Sequence, residues 1–276
     1  MHPRRARSLP YARRMRILIT GAARAIGAAS ARELTQAGHE VVATARDPAL
    51  LEDLDVALRL ALDVTDEDST RRALDAAGDI DAIVNNAAIS GKGPLESFPL
   101  DRLRLMLETN TLGSLRLLQH LLPAWRARGS GVVVNISSVQ GRVGTPLEGP
   151  YAASKFALEA LSETLHHELG HFGIRVVVIE PGYIAPGMKP ADRVQGDPAY
   201  DQLWEEWSGT DEKVTGPEGR PGPELVAAAV RSAIEDPATP FRVPVGADAV
   251  LVLGARSAMD DAAFETAMRT MLGLTW

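Results

Sequence analysis

Cysteine is absent from the 276 residues. That excludes disulfides, thiolate metal ligands and cysteine nucleophiles together, and it fits a reducing compartment. Aromatic residues are scarce at 5%, and only four of the 29 basic residues are lysine (Lys92, Lys155, Lys189, Lys213). Positive charge is in deficit: 36 acidic residues leave a net charge of -7, which argues against a nucleic-acid partner. No apolar run approaches the ~20 residues of a membrane span. No secretory-type apolar stretch follows the basic start, so a cytoplasmic protein is expected. What remains, 45% hydrophobic and 24% charged, is the composition of a globular chain able to bury a sizeable core. The arginine and alanine bias fits a GC-rich bacterial coding sequence.

Residues 1–14 (MHPRRARSLPYARR) are basic and lack apolar periodicity. They read as an unfolded tail or an upstream start, with Met15 as the alternative initiator. From there, short apolar runs at 16–20, 40–45, 57–62, 82–85, 131–136, 174–180 and 241–245 read as strands. Helical periodicity covers 25–37, 67–77, 100–128 (two consecutive helices), 150–171 and 224–235. Continuous apolar strands separated by helices predict a parallel sheet covered on both faces. The expected fold is therefore a doubly wound α/β sheet in three layers, a single domain over 15–276. Residues 185–222 break the pattern with many Pro, Gly and acidic residues plus two tryptophans, and read as a lid.

The first strand runs into Thr20-Gly21-Ala22-Ala23-Arg24-Ala25-Ile26-Gly27 and then a helix. Glycines there let backbone approach a pyrophosphate at a helix N-terminus. Alone, the segment is equally well a tight strand-to-helix turn. Further polar segments share its location: Asp63-Val64-Thr65, Asn85-Asn86-Ala87-Ala88, Asn110, Asn135-Ile136-Ser137-Ser138, Tyr151 to Lys155, and Pro181-Gly182. Each falls at the carboxyl end of a strand or on an adjoining helix, where open parallel sheets bind ligands.

With these motifs in this order, the sequence resembles the short-chain dehydrogenase/reductase family over 15–182. The resemblance implies a seven-stranded Rossmann-like sheet and an NAD- or NADP-dependent oxidoreductase acting on a small-molecule carbonyl/alcohol pair, in a homodimer or homotetramer. It assigns Gly21, Ile26 and Gly27 to the glycine motif, and Asp63 and Val64 to the adenine. Asn85, Ala87, Pro181, Gly182 and Ile184 join the cofactor site. Ser138 would bind the substrate oxygen, with Ser137 its structural neighbour, and Asn110 would hold a water of the proton relay. Tyr151 would be general acid and base, and Lys155 would also bind the nicotinamide ribose. Tyr183, Met188, Trp204 and Trp207 would belong to the lid. The wording YAASKFALEALSE and PFRVPVG looks like the branch holding 17β-hydroxysteroid and retinol dehydrogenases, which implies a lipophilic substrate. Three positions depart from the family pattern: Ala25 replaces the middle glycine, Ala88 ends the NNAG segment, and Pro186 stands where a threonine commonly holds the nicotinamide amide.

The residues add chemistry of their own. NAD sites place a carboxylate after the second strand. Here that place holds Ala45, followed by Arg46, and Arg24 lies in the glycine loop. Two guanidinium groups without the acid predict NADP(H) over NAD(H), partly offset by Asp47. Tyr151 and Lys155, four apart on a helix, share a face, and the ammonium should lower the tyrosine from ~10. His167-Glu168-Leu169-Gly170-His171 spells the zinc-protease motif HExxH. Gly170 and Gly173 end that helix, and no third ligand is evident, so no metal is expected. A protein that binds NADP(H) as a sensor without turnover is the rival reading. Ala25 and Pro186 favour it; the intact Asn110, Ser138, Tyr151 and Lys155 oppose it.

Overall fold

The computed structural model describes residues 14–186, 188, 193–194, 196–215 and 219–276. The basic tail lies outside them except for Arg14, whose guanidinium pairs with Glu40 at 3.0 Å. Parts of the expected lid, residues 187, 189–192, 195 and 216–218, also lie outside them.

Seven strands form one sheet: β1 (Arg16–Ile19), β2 (Glu40–Ala45), β3 (Leu58–Ala61), β4 (Ala82–Asn85), β5 (Gly131–Ile136), β6 (Ile174–Pro181) and β7 (Arg242–Val245). Their order is β3-β2-β1-β4-β5-β6-β7, and every neighbouring pair is parallel. The direction of winding reverses between β1 and β4, which opens a crevice at the carboxyl edge. The helices are α1 (Ala25–Gln36), α2 (Glu67–Ala77), α3 (Leu100–Leu107), α4 (Gly113–Arg128), α5 (Gly149–Leu169), α6 (Asp201–Trp207), α7 (Thr210–Thr215), α8 (Glu224–Glu235), α9 (Ala247–Ala258) and α10 (Asp261–Leu272).

Strand alternation sorts the core into two halves. Ile17, Ile19, Val41, Ala43, Val84 and Val134 pack under α1 and α8. Leu18, Val42, Ile83, Val133 and Val176 face the other way, under α2, α4 and α5. Both sheet faces are thus covered, giving the three layers.

Three features differ from the sequence expectation. Residues 100–128 are two helices, but a π-helical turn, Glu108–Leu112, joins them, and Asn110 sits inside it. The segment 185–222 is not irregular throughout, because it carries α6 and α7. Beyond β7 the chain adds α9 and α10, which were not expected from the sequence. A third apolar cluster joins α6 to α10: Leu203 and Trp207 of α6 pack with Leu147 and with Leu272 of α10. Glu206 of α6 fastens the end of the chain, accepting from the Thr275 N–H at 2.7 Å and the Trp276 N–H at 3.1 Å. These bonds and those from the Thr275 hydroxyl and Gln202 pull its carboxyl down to about 2.

Trp125 is the largest side chain in the α4 half of the core; it is fully buried and donates its indole N–H to Ile80 O at 2.7 Å. It lies so close to Gly131 that a Cβ there would fall 2.2 Å from the ring. Trp125→Ala should therefore lower stability by about 3–5 kcal/mol, read as a fall in the urea midpoint. A loss below about 1 kcal/mol would mean that α4 does not depend on this contact.

Candidate active site

The loops after β1 and β4 are stitched together. Thr20 Oγ1 accepts from the N–H groups of Asn86 and Ala87, both at 2.9 Å. The Asn86 amide donates back to the Thr20 and Gly21 carbonyls at 2.9 and 3.0 Å. Gly21 has φ +64, and a Cβ on Gly27 would meet Gly21 O at 2.4 Å. Glycine is required at both places, once by conformation and once by close approach. Ala25 retains a left-handed backbone, φ 45, although it carries a methyl group. Helix α1 begins there with no side-chain cap and no acidic residue in its first turn. Its leading N–H groups are left for a ligand, and an anion suits them.

A cavity of about 980 Å³ runs along this edge of the sheet. It brings together Gly21, Arg24, Ile26, Arg46, Asp63, Val64, Ala87, Ser138, Tyr151, Lys155, Pro181, Gly182 and Ile184, and on the lid side Tyr183, Met188 and Trp207. Ala25, Ala88 and Pro186 line it too. Gly27, Asn85, Asn110 and Trp204 do not line it. Gly27, Asn85 and Asn110 are buried behind the wall, and Trp204 packs, partly buried, on the Leu203–Trp207–Leu272 cluster beneath the Arg193 guanidinium, 3.9 Å from its ring centre. A cavity of this size, with an uncapped helix N-terminus at one end and the half-buried Tyr151 beside the buried Lys155 amine at the other, fits a dinucleotide.

Asn110 works through backbone. Its Oδ1 accepts from the Ile89 N–H at 2.8 Å, and its amide donates to Ile89 O and Ser154 Oγ, both at 2.9 Å. Thr111 Oγ1 donates to Ser154 O at 2.8 Å. A second buried chain runs from Asn85 to Asn135 Oδ1, then from the Asn135 amide to Ser162 Oγ, each 2.8 Å. The π turn and two strands therefore grip α5 along its length. The role of Ser162 was invisible in sequence, since a serine inside a helix gives no signal by itself.

Tyr151 and Lys155 project from the first turns of α5. The Lys155 amine donates to Ile136 O at 2.7 Å and lies 5.6 Å from the Tyr151 ring centre. Burial lowers Lys155 to about 8, and the nearby Glu159 charge pulls it back up. The sequence argument has the ammonium drawing Tyr151 down, and here the structure corrects it. Burial holds the phenol above its ordinary value; the hydrogen bond with Ser138 acts downward, and the charge of Glu148 adds to the rise. Lys155 donates to the Ile136 carbonyl rather than to the phenol.

The zinc motif falls apart in three dimensions. His167 is on the last turn of α5, whereas His171 lies in the 3-10 turn that follows and stacks edge-on against Phe172. Among the described residues, no group of three or more His, Asp or Glu side chains is placed to hold a metal.

Behind Lys155, α5 and β6 bury Glu159 and Glu180. Arg242 donates to Glu159 at 3.0 Å, and Arg142 lies 3.5 Å from Glu180. Burial and the Glu159 charge push Glu180 up to about 7 from 4.5, against the pull of Arg142 and Arg242. The folded protein thus holds this proton more tightly than the unfolded chain does. Ionising Glu180 costs nothing below its unfolded value; the penalty grows as pH rises and is complete above about 7. Urea unfolding should show stability falling by on the order of 1–2 kcal/mol across that window, and Glu180→Gln should flatten the fall. An equally steep fall in the variant would assign the slope to another group.

A family model described as short chain dehydrogenase matches residues 15–195. A 3-ketodihydrosphingosine reductase from Bacteroides thetaiotaomicron is 32% identical over 247 residues, covering 87% of this chain and 91% of that protein. A short-chain dehydrogenase structure from Streptomyces avermitilis matches with a TM-score of 0.79 and 33% identity, over 95% of this chain and 100% of that one. A short chain dehydrogenase structure from Burkholderia cenocepacia, in complex with NADP, matches with a TM-score of 0.74 and 25% identity, over 94% and 97% of the two chains.

Proposed function

The chain belongs to the short-chain dehydrogenase family of oxidoreductases acting on CH–OH/C=O pairs, and from that premise we propose a specific chemistry: NADP(H)-dependent interconversion of a lipophilic ketone or aldehyde with its alcohol, Tyr151 acting as general acid and base. The observation that carries this reading is the half-buried Tyr151 phenol facing the cavity, hydrogen-bonded to Ser138 and beside the buried Lys155.

The substrate oxygen accepts from both hydroxyls, Tyr151 and Ser138. Tyr151 gives up its proton as charge grows on that oxygen, or takes one from an alcohol in the other direction. Lys155 stabilises the phenolate once it forms and holds the ribose hydroxyls. Asn110 positions α5 through Ser154 and holds the relay water. A nicotinamide bound along this edge would supply or accept the hydride. The α1 N-terminus and Gly21 receive the pyrophosphate, Asp63 and Val64 the adenine, and Asn85, Ala87, Pro181, Gly182 and Ile184 shape the rest. Arg24 and Arg46, both exposed at the cavity end, clamp the 2′-phosphate. Pro186 lacks both hydroxyl and N–H, so the nicotinamide amide relies on neighbouring backbone.

Val143, Trp207, Val214, Met268 and Leu272 give the lid side of the cavity an apolar wall. That wall, together with a relative named for reducing 3-ketodihydrosphingosine, supports a lipophilic keto substrate. Exposed Leu112, just before α4, and Phe156, two turns into α5, suit self-association as a homodimer or homotetramer. No helix among the described residues is long and apolar enough to cross a membrane, and the cysteine-free composition agrees with a cytoplasmic location.

Fluorescence titration should give NADPH binding at least ~10-fold tighter than NADH, with Arg46→Ala removing most of the difference. Tyr151→Phe should keep NADPH binding and lose turnover of carbonyl compounds by about a hundredfold or more. NADH preference would overturn the arginine clamp. Turnover unchanged in Tyr151→Phe would remove Tyr151 from the chemistry. Binding without turnover of any carbonyl in the unmodified protein would favour the sensor reading.

A further inference from the structure

The turn that delivers α5 is backbone-strained. Leu147 has φ 63, in the left-handed region that a branched side chain rarely adopts. Two contacts hold it there. Its side chain is buried with Leu203, Trp207 and Leu272, and its carbonyl accepts from the Gly93 N–H at 2.7 Å. The next residue, Glu148, stands at the N-cap of α5 and makes no side-chain cap. Its carboxylate is turned into the cavity instead, only 6% exposed. There it is met by the Lys92 ammonium, the Gln140 amide and, at 3.5 Å, the Thr145 hydroxyl. Lys92, Gln140, Glu148 and Tyr151 all line the same cavity. No step of the reaction proposed above uses Glu148 or Lys92.

A carboxylate placed one helical turn before a cavity-facing phenol opposes formation of the phenolate, and a partnering ammonium offsets that opposition. We propose that the Glu148–Lys92 pair is a positioning device that sets how firmly Tyr151 holds its proton, and so at what pH the site can act as a base. This rests on Tyr151 being the acid–base group. The other groups around the phenol are accounted for. Ser138 hydrogen-bonds it from the loop after β5, and Lys155 stands beside it on α5, with Glu159 beyond. On the lid side, Arg220 sits over the Tyr183 ring and Asp248 accepts from the Tyr183 N–H at 2.7 Å. Among these groups, Glu148 is the carboxylate whose charge opposes ionisation of Tyr151, on the opposite side of the balance from Lys155.

The pair gives a test with two signs. Glu148→Gln keeps the shape, removes the negative charge and leaves Lys92 uncompensated, so Tyr151 should ionise more readily. Lys92→Met leaves Glu148 uncompensated, so Tyr151 should ionise less readily. Ultraviolet difference titration of phenolate, with Tyr151→Phe as the blank and with and without NADP+, should place the onset about one pH unit lower in Glu148→Gln and higher in Lys92→Met. The acid limb of the alcohol-oxidation pH profile should move in the same two directions, and the double variant should fall between them. A purely structural pair would harm both variants alike and leave both onsets in place or move them together, which overturns the proposal. If Glu148→Gln fails to fold, the sign of Lys92→Met alone decides. Absence of any turnover would count against the oxidoreductase chemistry proposed for Tyr151, while the phenolate titration would still read the effect of Glu148.

Discussion

The register of α5 is held by buried hydrogen bonds, and the rest of the site depends on it. Apolar packing alone would let a helix slide or roll by a fraction of a turn at little cost. The Asn110–Ser154, Thr111–Ser154 and Asn135–Ser162 bonds do not, because a small displacement would leave several buried polar groups unpaired at once. Tyr151 and Lys155 inherit their position from that seam. The π turn is part of that seam, setting Asn110 against the Ile89 peptide and Ser154 together.

The parallel sheet makes such a seam useful. Every strand ends at the same edge, so polar residues far apart in sequence arrive together without any loop having to be long. The stitching of Thr20 to Asn86 and the approach of Gly27 to Gly21 close one side of the crevice with backbone rather than side chains. A dinucleotide could then lie against a wall that cannot change rotamer. Burial has a price elsewhere. The same exclusion of water that gives Ser138, Tyr151 and Lys155 a defined geometry also presses both ionisable groups toward their neutral forms, and the charges of Glu148 and Glu159 act on top of that pressure.

Much of this was legible in the sequence because its signals are local. β2, β4, β5, α2 and α8 match the expected runs residue for residue, since each is an apolar stretch or an amphipathic period bounded by turn residues. The strand-end polar segments announced the crevice before any geometry was known. What escaped was non-local. Helix α9 exposes Val250 and Leu251, so its apolar pattern points at no single face, and α10 is placed by contacts with the distant α6 and α7. Trp204 and Trp207, three apart on a short helix, invited one role; only Trp207 reaches the cavity. Glu148 gave no signal, because its importance comes from a left-handed Leu147 and from Lys92 on a different loop. The direction in which Tyr151 is shifted also required burial to be known, and a spacing rule supplies only the partner.

The last two residues of the chain carry a practical corollary. Thr275 and Trp276 are tied by Glu206 to the helix that supplies Trp207, and Arg269 holds the Trp276 carbonyl from the other side. Removing the Glu206 carboxylate would release these two residues and loosen the helix that carries Trp207. A substitution far from any reacting group would then reshape the roof of the cavity as surely as one inside it.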